Sequence, residues 1–270
     1  MSINYNRNRV QTKYERLIGI TTPEELKDRK EDFKNHLLTE SDVLTLLPEA
    51  KLDALDFFNN AVISLSEGID AIYLRRFSWA TVKLYYAIYY LLRASLAAKK
   101  YVLMRNQSMF RLKLKAGEKP YNTRNRKFNA THGGTIAHYV DIYSNADILL
   151  SNKIGERNVY EWMEHARDVI NYLDVSFRDP QTLNIWDKFR EAAENRQLTS
   201  LLSRIQNDND YIYCFQEDFA VVAIPIKRLQ LTIVDMYSCG YLSSPSNDRF
   251  NYYDTILKQD ERGLHILDNL

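Results

Sequence analysis

Segment 99–127 contains the residue types that bind phosphate groups. It carries ten lysines or arginines and a single acid, Glu118. The ten cations are Lys99, Lys100, Arg105, Arg111, Lys113, Lys115, Lys119, Arg124, Arg126 and Lys127. Their local charge of about +9 leaves about −8 for the rest of a chain whose net charge is +1. A patch of one sign attracts phosphate-bearing ligands through long-range steering and counterion release.

Aromatic residues are interleaved with these cations, at Tyr101, Phe110, Tyr121 and Phe128. Aromatic rings stack on unpaired bases while lysine and arginine hold the phosphates, so this composition predicts RNA binding. We assign the RNA contacts to all ten cations except Arg126. A solvated surface loop and a site for a negatively charged protein are the alternatives. Gly117 and Pro120 predict a loop or a hairpin-like insertion here instead of a continued helix.

A polar stripe crosses the otherwise apolar segment 77–100. It consists of Lys83, Tyr86, Tyr90 and Arg93. Their spacing of i, i+3, i+7 and i+10 places them on one face of a helix. The stripe either contacts a ligand or forms a buried tyrosine network whose polar groups are satisfied by neighbouring backbone and carboxylates.

Segment 158–175 predicts a helix with polar residues along the border of its apolar face. These border residues include Glu164, Arg167 and Asn171. Because the border of a packed helix lines a crevice, Arg167 and its neighbours are candidates for a functional site. The alternative is a structural hydrogen-bond cluster that holds two helices together.

The elements that must position these residues are mainly helices. Only 8 glycines and 6 prolines occur against 19 tyrosines and 11 phenylalanines, and this shortage of chain-breaking residues favours long helices. Apolar spacing predicts helices at 50–72, 77–100, 135–143, 158–175, 186–205 and 225–237. A capping cluster at 39–42 predicts an earlier helix start. Segments 211–215 and 219–224 predict a small hairpin.

We therefore expect a mainly α fold in three parts. Residues 1–49 form a helical lead-in, and residues 50–180 form a helical bundle with the basic insertion 99–127. Residues 181–270 form a small α+β carboxy-terminal appendage with a short hairpin. Two distant cysteines, Cys214 and Cys239, indicate neither a disulfide framework nor a zinc site.

The chain lacks the usual signs of several other protein classes. Its amino terminus is polar, and no uncharged stretch reaches membrane-spanning length, so we expect a cytoplasmic protein with no membrane partner. Phosphate-loop, dinucleotide, zinc-protease and esterase motifs are absent from the sequence, so no cofactor or metal is expected.

The chain contains YYAIYYLLRASL at residues 85–96, THG at 131–133 and RDVINY at 167–172, and these three pieces together resemble HEPN-domain proteins. Residues 85–96 (YYAIYYLLRASL) resemble the central helix of that family, and residues 131–133 (THG) resemble the motif that follows it. Residues 167–172 (RDVINY) fall where the family has its closing arginine and histidine motif. Order and spacing agree over about residues 50–177, and the carboxy-terminal ninety residues lie outside the resemblance.

The resemblance implies a bundle of four or five helices that forms a homodimer in toxin–antitoxin, abortive-infection or other antiphage systems. Many members of the family are metal-independent RNA endonucleases, in which an arginine and a histidine from each protomer converge. A histidine of near-neutral pKa can transfer the protons, and an arginine can stabilise charge on the phosphate.

The resemblance places Arg167, Asn171 and Tyr172 in the catalytic set. Tyr172 stands where an Arg-x4-His motif would have histidine, and a phenol, with a reference pKa of about 10, is a poor base. Arg126 and His132, spaced Arg-x5-His, are the substitutes we consider, with His165 as a further candidate. The alternative role for His132 is capping the helix that follows it. His36, His138 and His265 have no neighbours in sequence that suggest a site.

Two hypotheses follow from these residues. In the first, a HEPN-like toxin or defence protein engages RNA through segment 99–127 and cleaves it with Arg167, His132 and Arg126 at a dimer interface. In the second, the chain is a non-catalytic HEPN-like scaffold or regulatory subunit of a multi-component defence complex. The second hypothesis places the docking surface on the 211–224 hairpin and the aromatic tail formed by Tyr241, Phe250, Tyr252 and Tyr253.

Overall fold

The computed structural model describes residues 8–22, 24–123, 125–174, 176–242, 252 and 255. The chain is mainly helical, which confirms the expected fold class at that level. Its α-helices are α1 (Arg9–Leu17), α2 (Glu25–Asp28), α3 (Lys30–Asn35), α4 (Glu40–Tyr73), α5 (Phe77–Ala98), α6 (Arg126–Asn129), α7 (His132–Tyr143), α8 (Val159–Asp168), α9 (Asp187–Glu194), α10 (Leu198–Gln206) and α11 (Glu217–Ser238). Within the described residues, every helix is too short or too polar to cross a membrane.

Two antiparallel hairpins interrupt the helices. The first pairs β1 (Tyr101–Asn106) with β2 (Ser108–Lys113), and the second pairs β3 (Lys153–Ile154) with β4 (Arg157–Asn158). The first hairpin lies inside the basic segment, so the expected hairpin-like insertion is confirmed there. Gln107 makes the tight turn with a φ of 61°, a left-handed conformation that only a minority of non-glycine residues adopt.

The chain divides into two compact units, each built from two stretches of sequence. The first unit draws on Met1–Phe57 and Leu92–Ile142, and the second on Phe58–Leu91 and Tyr143–Leu270. The first unit therefore contains the basic segment, and the second contains α8. These bounds differ from the three consecutive segments expected from the sequence.

The core of the first unit is formed by the first hairpin and the amino-terminal helices. Val102, Met104, Phe110 and Leu112 alternate along β1 and β2 and belong to one buried cluster with Tyr14, as the period of two in a strand requires. The Tyr14 hydroxyl donates a hydrogen bond to the Phe33 carbonyl at 2.6 Å, so this buried polar group is satisfied. One face of the hairpin is thus committed to the core.

The capping cluster at 39–42 starts α4 as expected. The Asp42 amide donates to Thr39 Oγ1 at 3.1 Å, and the Thr39 amide donates to Asp42 Oδ2 at 2.9 Å. This reciprocal pair satisfies two amide donors at the helix start. As a result α4 begins ten residues before the helix expected at 50–72 and runs for 34 residues.

The hairpin expected at 211–224 is wrong. Residues Ile212–Phe215 form a turn of 3-10 helix, and 219–224 lie within α11. Every residue from Ala220 to Leu229 is buried, so this part of α11 has no solvent-exposed side. A short run of continuous apolar residues is typical of both a buried strand and a buried helix, and the 22-residue length of α11 decides the outcome. Pro225, expected to start a helix, lies inside one.

A buried polar network fixes α11 within the second unit. Arg228, 1% exposed, places its Nη1 2.9 Å from Asp147 Oδ2 and its Nη2 2.9 Å from Asp235 Oδ2. Tyr160 also donates a hydrogen bond to Asp147. Buried charges require partners of this kind because desolvation alone would be costly.

The helix expected at 186–205 is divided into α9 and α10. Arg196, between them, has a φ of 58°. A left-handed residue cannot continue a right-handed helix, so the chain turns here although no glycine or proline marks the position.

Candidate functional site

Arg167 lies near the end of α8 and is buried among aromatic and acidic groups. Its side chain is 5% exposed, and its Cζ lies 4.4 Å from the centroid of the Tyr85 ring. Its Nη1 is 3.1 Å from Asp168 Oδ1, and its Nη2 is 4.0 Å from Glu164 Oε1. Among the described residues its Nε has no hydrogen-bond partner. The guanidinium is thus held mainly by stacking and by one close carboxylate.

Tyr85 cannot serve as the base that the nuclease hypothesis needs. Burial, followed by the negative charge of Glu164, raises the pKa of the Tyr85 hydroxyl well above its ordinary value. The phenol therefore stays protonated at neutral pH, where it can donate a hydrogen bond but cannot accept a proton.

A π turn places Tyr172 beside Arg167. Residues Val169–Leu173 leave the α-helical pattern, and the Asp174 amide donates to the Val169 carbonyl at 2.8 Å, five residues earlier. The Tyr172 ring centroid lies 5.7 Å from Arg167 Cζ, and Tyr172 is 71% exposed. π turns are rare in proteins, and those that occur often lie at functional sites. We call Tyr85, Arg167, Asp168 and Tyr172 the Arg167 cluster.

The Arg167 cluster contains no imidazole among the described residues. His165, on the same helix, is exposed and makes no contact with Arg167. Asn171 is half-buried on the π turn. The position where the resemblance would have histidine holds the exposed phenol of Tyr172, so the second unit offers an arginine and tyrosines for chemistry.

The other predicted catalytic residues belong to the first unit. Arg126 is exposed on the short helix α6, and His132 is half-buried as the first residue of α7. Gly134 allows α7 to approach α6 closely, because a Cβ there would lie 2.7 Å from the Phe128 carbonyl oxygen. The predicted catalytic set is therefore divided between the two units.

Cations and tyrosines meet on the second face of the first hairpin, which also carries the buried Leu103 and Met109. Tyr101 pairs with Lys113 in the strand register. Tyr121 joins the edge of β2 through two backbone hydrogen bonds with Arg111, of 2.8 Å and 2.7 Å. Cross-strand neighbours on one face of a sheet lie close enough for their side chains to interact.

Arg111 is the centre of this group. Its Cζ lies 5.2 Å from the Tyr121 centroid and 5.8 Å from the Tyr101 centroid, and its Nη1 is 2.5 Å from Asp141 Oδ2. Lys113 Nζ lies 5.5 Å from the Tyr101 centroid. Distances of this size allow cation–π attraction. We call Tyr101, Arg111, Lys113, Tyr121 and Asp141 the Arg111 cluster.

Most of the predicted RNA-binding cations are exposed. Among the described residues, no carboxylate lies within ion-pair distance of Lys100, Arg105, Lys113, Lys115 or Lys119, and Arg105 donates a hydrogen bond to Thr131 instead. Lys99 and Lys127 are also exposed, whereas Arg124 lies outside the described residues. The positive charge of Lys100, Arg105, Lys113, Lys115 and Lys119 is therefore not neutralised by described acids, whereas Arg111 is paired with Asp141.

His138 is a buried ionisable residue of the first unit that was not singled out from the sequence. Its side chain is fully buried, and its ring lies 4.9 Å from the Phe128 ring in an edge-on contact. Neither ring nitrogen has a hydrogen-bond partner among the described residues. Burial and then the positive charge of Arg111 lower the pKa of His138 to about 4, although Asp141 and the nearby Phe128 backbone, which falls short of hydrogen-bond geometry, act in the opposite direction. No local pattern in the sequence signals this burial.

The polar stripe of α5 makes contacts with other protein groups. Lys83 forms an ion pair with Glu67 and lies over the Trp79 ring. The Tyr86 and Tyr90 rings are 6.3 Å apart. In the first unit, Arg93 Cζ lies 4.2 Å from the centroid of Phe57. These contacts support the structural alternative for the stripe.

Comparison with known proteins gives no family for this chain. No protein-family model, no curated protein and no solved structure matches it. Among the described residues, no group of three or more histidine, cysteine, aspartate or glutamate side chains is arranged to hold a metal ion. The resemblance to HEPN-domain proteins therefore rests on the residues quoted for it and stays a prediction.

Proposed function

We propose that this chain is a HEPN-like protein of antiphage-defence or toxin type that binds RNA through the basic face of its first unit. The observation that carries the proposal is the Arg111 cluster, in which Arg111 and Lys113 lie over tyrosine rings, together with exposed cations of the same segment that have no described carboxylate partner, namely Lys100, Arg105, Lys115 and Lys119. Phosphates would supply the missing negative charge, and counterion release would favour their binding. Stacking on tyrosine would add an attraction that a simple charged loop lacks.

Binding without cleavage fits the Arg167 cluster better than catalysis does. Arg167 is 5% exposed and would have to leave both its ring and Asp168 to reach a phosphate, whereas the basic segment offers phosphates the exposed Lys100, Lys115 and Lys119. Its neighbours are phenols, which are poor proton acceptors at neutral pH. We therefore assign Arg167 to holding the second unit together, and cleavage stays the activity that the resemblance implies.

A charge-matched pair of double variants tests the proposal. Lys115→Gln with Lys119→Gln removes two exposed cations from the basic segment, and Lys153→Gln with Arg157→Gln removes two exposed cations from the second unit. Fluorescence anisotropy with a labelled RNA, measured over a range of salt, should show weaker binding for the first pair only. The slope of log affinity against log salt should fall by about 1 to 2 for that pair.

Absence of RNA binding by the wild-type chain, or equal losses in both double variants, would overturn the proposal. Cleavage is measured in the same samples with EDTA present. RNA should remain intact, whereas cleavage that disappears in Arg167→Ala while RNA binding persists would establish the nuclease instead.

Exposed apolar residues favour a second candidate function, that of a scaffold or a dimer subunit. Tyr172, Leu173 and Phe177 are 71%, 69% and 50% exposed within six positions of the second unit. Apolar side chains grouped in this way on a surface mark contact sites for protein. Within the surface earlier expected at 211–224, Ala220–Ile224 are buried, which leaves only its first part accessible to a partner. If light scattering shows a dimer, Leu173→Ser with Phe177→Ser should convert it to a monomer, and a variant that stays dimeric would exclude this surface as the contact.

A further inference from the structure

We propose that the RNA bound by the first unit is a single strand whose bases stack on Tyr121 and Tyr101 around Arg111. This inference rests on the proposed RNA-binding function and adds the form of RNA that the site takes. The observations that carry it are the geometry of the Arg111 cluster, the exposure of Tyr121 and the distribution of charge along the hairpin.

The two tyrosines are placed to receive bases next to a fixed cation. Arg111 Cζ lies 5.2 Å from the Tyr121 centroid and 5.8 Å from the Tyr101 centroid, which limits the two rings to about 11 Å apart. Asp141 holds the guanidinium from one direction through a 2.5 Å contact. The backbone pairing of Tyr121 with Arg111 fixes the register of one ring relative to the cation. Both rings can therefore contact the same short stretch of single-stranded RNA.

The exposure of Tyr121 is the feature that packing does not explain. Its side chain is 51% exposed, whereas Phe110, on the core face of the same hairpin, is 1% exposed. A core needs no exposed ring at this edge, but a base-stacking site does. Since every base has a π face, such a ring binds many sequences.

The surrounding positive charge suits single-stranded RNA, whose bases are accessible. Lys113 Nζ lies 5.5 Å from the Tyr101 centroid, and Lys100 and Lys115 flank the hairpin formed by β1 and β2. A phosphate backbone can follow these cations while its bases turn toward the rings. An A-form duplex presents phosphates to the cations but keeps its bases stacked inside, so the tyrosines would add nothing to duplex binding. An acidic protein would likewise use the cations without needing the rings.

Anisotropy with three labelled probes tests the inference. The probes are a 12-nucleotide RNA single strand of mixed sequence, the blunt duplex formed from it and its complement, and a poly-glutamate peptide. The single strand should bind most tightly. Tyr121→Leu should weaken single-strand binding roughly 5- to 100-fold, the range expected for loss of one stacked base, and Tyr121→Phe should retain wild-type affinity. The salt dependence should be unchanged in Tyr121→Leu and reduced in Lys113→Gln.

Tyr213→Leu is the matched control. Tyr213 also stacks on an arginine, with Arg204 Cζ 5.8 Å from its centroid, but it belongs to the second unit and should not affect RNA affinity. Thermal melts of each variant establish that it is folded.

The outcomes separate this inference from the function on which it rests. Equal affinity for single strand and duplex, or no effect of Tyr121→Leu while Lys113→Gln weakens binding, would overturn stacking and leave RNA binding standing. Failure of the wild-type chain to bind either RNA would overturn both. Tighter binding of poly-glutamate than of the single strand would identify an acidic protein as the partner class and would also overturn both.

Discussion

Each of the two units holds an arginine against two tyrosine rings and close to a carboxylate, yet the two arginines have different surroundings. In the Arg167 cluster the side chain of the arginine is 6% exposed, and in the Arg111 cluster it is 17% exposed. Asp168 and Glu164 both lie beside Arg167, whereas Arg111 is paired with Asp141 and belongs to a segment rich in exposed cations. An arginine packed against tyrosine rings therefore does not by itself indicate a ligand-binding site. Access and the neighbouring charge decide whether it stabilises the fold or binds a ligand.

The largest expected effect is a loss of stability at acidic pH, and it arises from His138 in the first unit. Unfolded histidine has a reference pKa of about 6.5, and His138 in the folded chain has a pKa lowered to about 4. Between these values the unfolded chain takes up a proton that the folded chain refuses, so stability falls as the pH drops from about 6.5 to about 4 and then levels off. The loss should reach roughly 3 kcal/mol.

Denaturant titrations between pH 4 and pH 7.5 test this dependence in His138→Leu. The variant should lose that part of the decline in unfolding free energy, and His165→Gln, which alters an exposed histidine, should keep the wild-type profile. Parallel profiles for all three proteins would show that His138 is not the group responsible.

Replacing Arg167 should cost more stability than replacing Arg111. Arg167→Ala removes a buried guanidinium from the Tyr85 ring and from Asp168, and we expect the unfolding free energy to fall by about 2 to 3 kcal/mol. Arg111→Ala breaks a more exposed ion pair and should cost about 1 kcal/mol or less. Urea titrations followed by circular dichroism compare the two. Equal losses would mean that burial does not distinguish the clusters.

Replacing a glycine with alanine should also cost more stability at Gly134 of the first unit than at Gly68 of the second. Gly134→Ala would place a Cβ 2.7 Å from the Phe128 carbonyl oxygen, and backbone must move to admit it, so we expect a loss of about 1 to 2 kcal/mol and weaker RNA binding. Gly68→Ala meets the Leu84 side chain at 2.8 Å, and a side chain can adjust at lower cost. A larger loss in Gly68→Ala than in Gly134→Ala would contradict this ranking.

The smallest expected effect is the change in RNA affinity when the carboxylate beside either arginine, Asp141 or Asp168, is neutralised. Asp141→Asn removes the negative charge beside Arg111 and should tighten RNA binding about 2- to 5-fold at low salt, with the gain disappearing as salt screens it. Asp168→Asn makes the same change beside Arg167 and should leave RNA affinity unaltered. A gain in Asp168→Asn alone would place the RNA at the other cluster.

Local sequence patterns predicted the long helices but not the fold of residues 211–224. The apolar spacing of α5 and α8 extends over many residues, and such patterns survive in any packing arrangement. The run Phe219–Ile224 is six residues long, so its spacing is typical of both a buried strand and a buried helix. Its inclusion in the 22-residue helix α11 decided between them.

The candidate sites show the same limit. The charge of segment 99–127 was evident from composition, and the structure places its described cations largely on the surface. The pairing of Tyr121 with Arg111 joins residues ten apart through backbone hydrogen bonds that no local pattern encodes. His138 was overlooked because its burial depends on α6 and the hairpin. The π turn that brings Tyr172 to Arg167 likewise departs from the helical spacing used for prediction.

The most direct test of the central claim measures RNA affinity and melting temperature together in Arg111→Gln and Arg167→Gln. Our account predicts that Arg111→Gln weakens single-stranded RNA binding about 10-fold and shifts the melting temperature by no more than about 2 °C. It predicts that Arg167→Gln lowers the melting temperature by several degrees and keeps RNA affinity within about 2-fold of wild type at a temperature where it is folded. A folded Arg167→Gln that no longer binds RNA, beside an Arg111→Gln with normal affinity, would contradict the account.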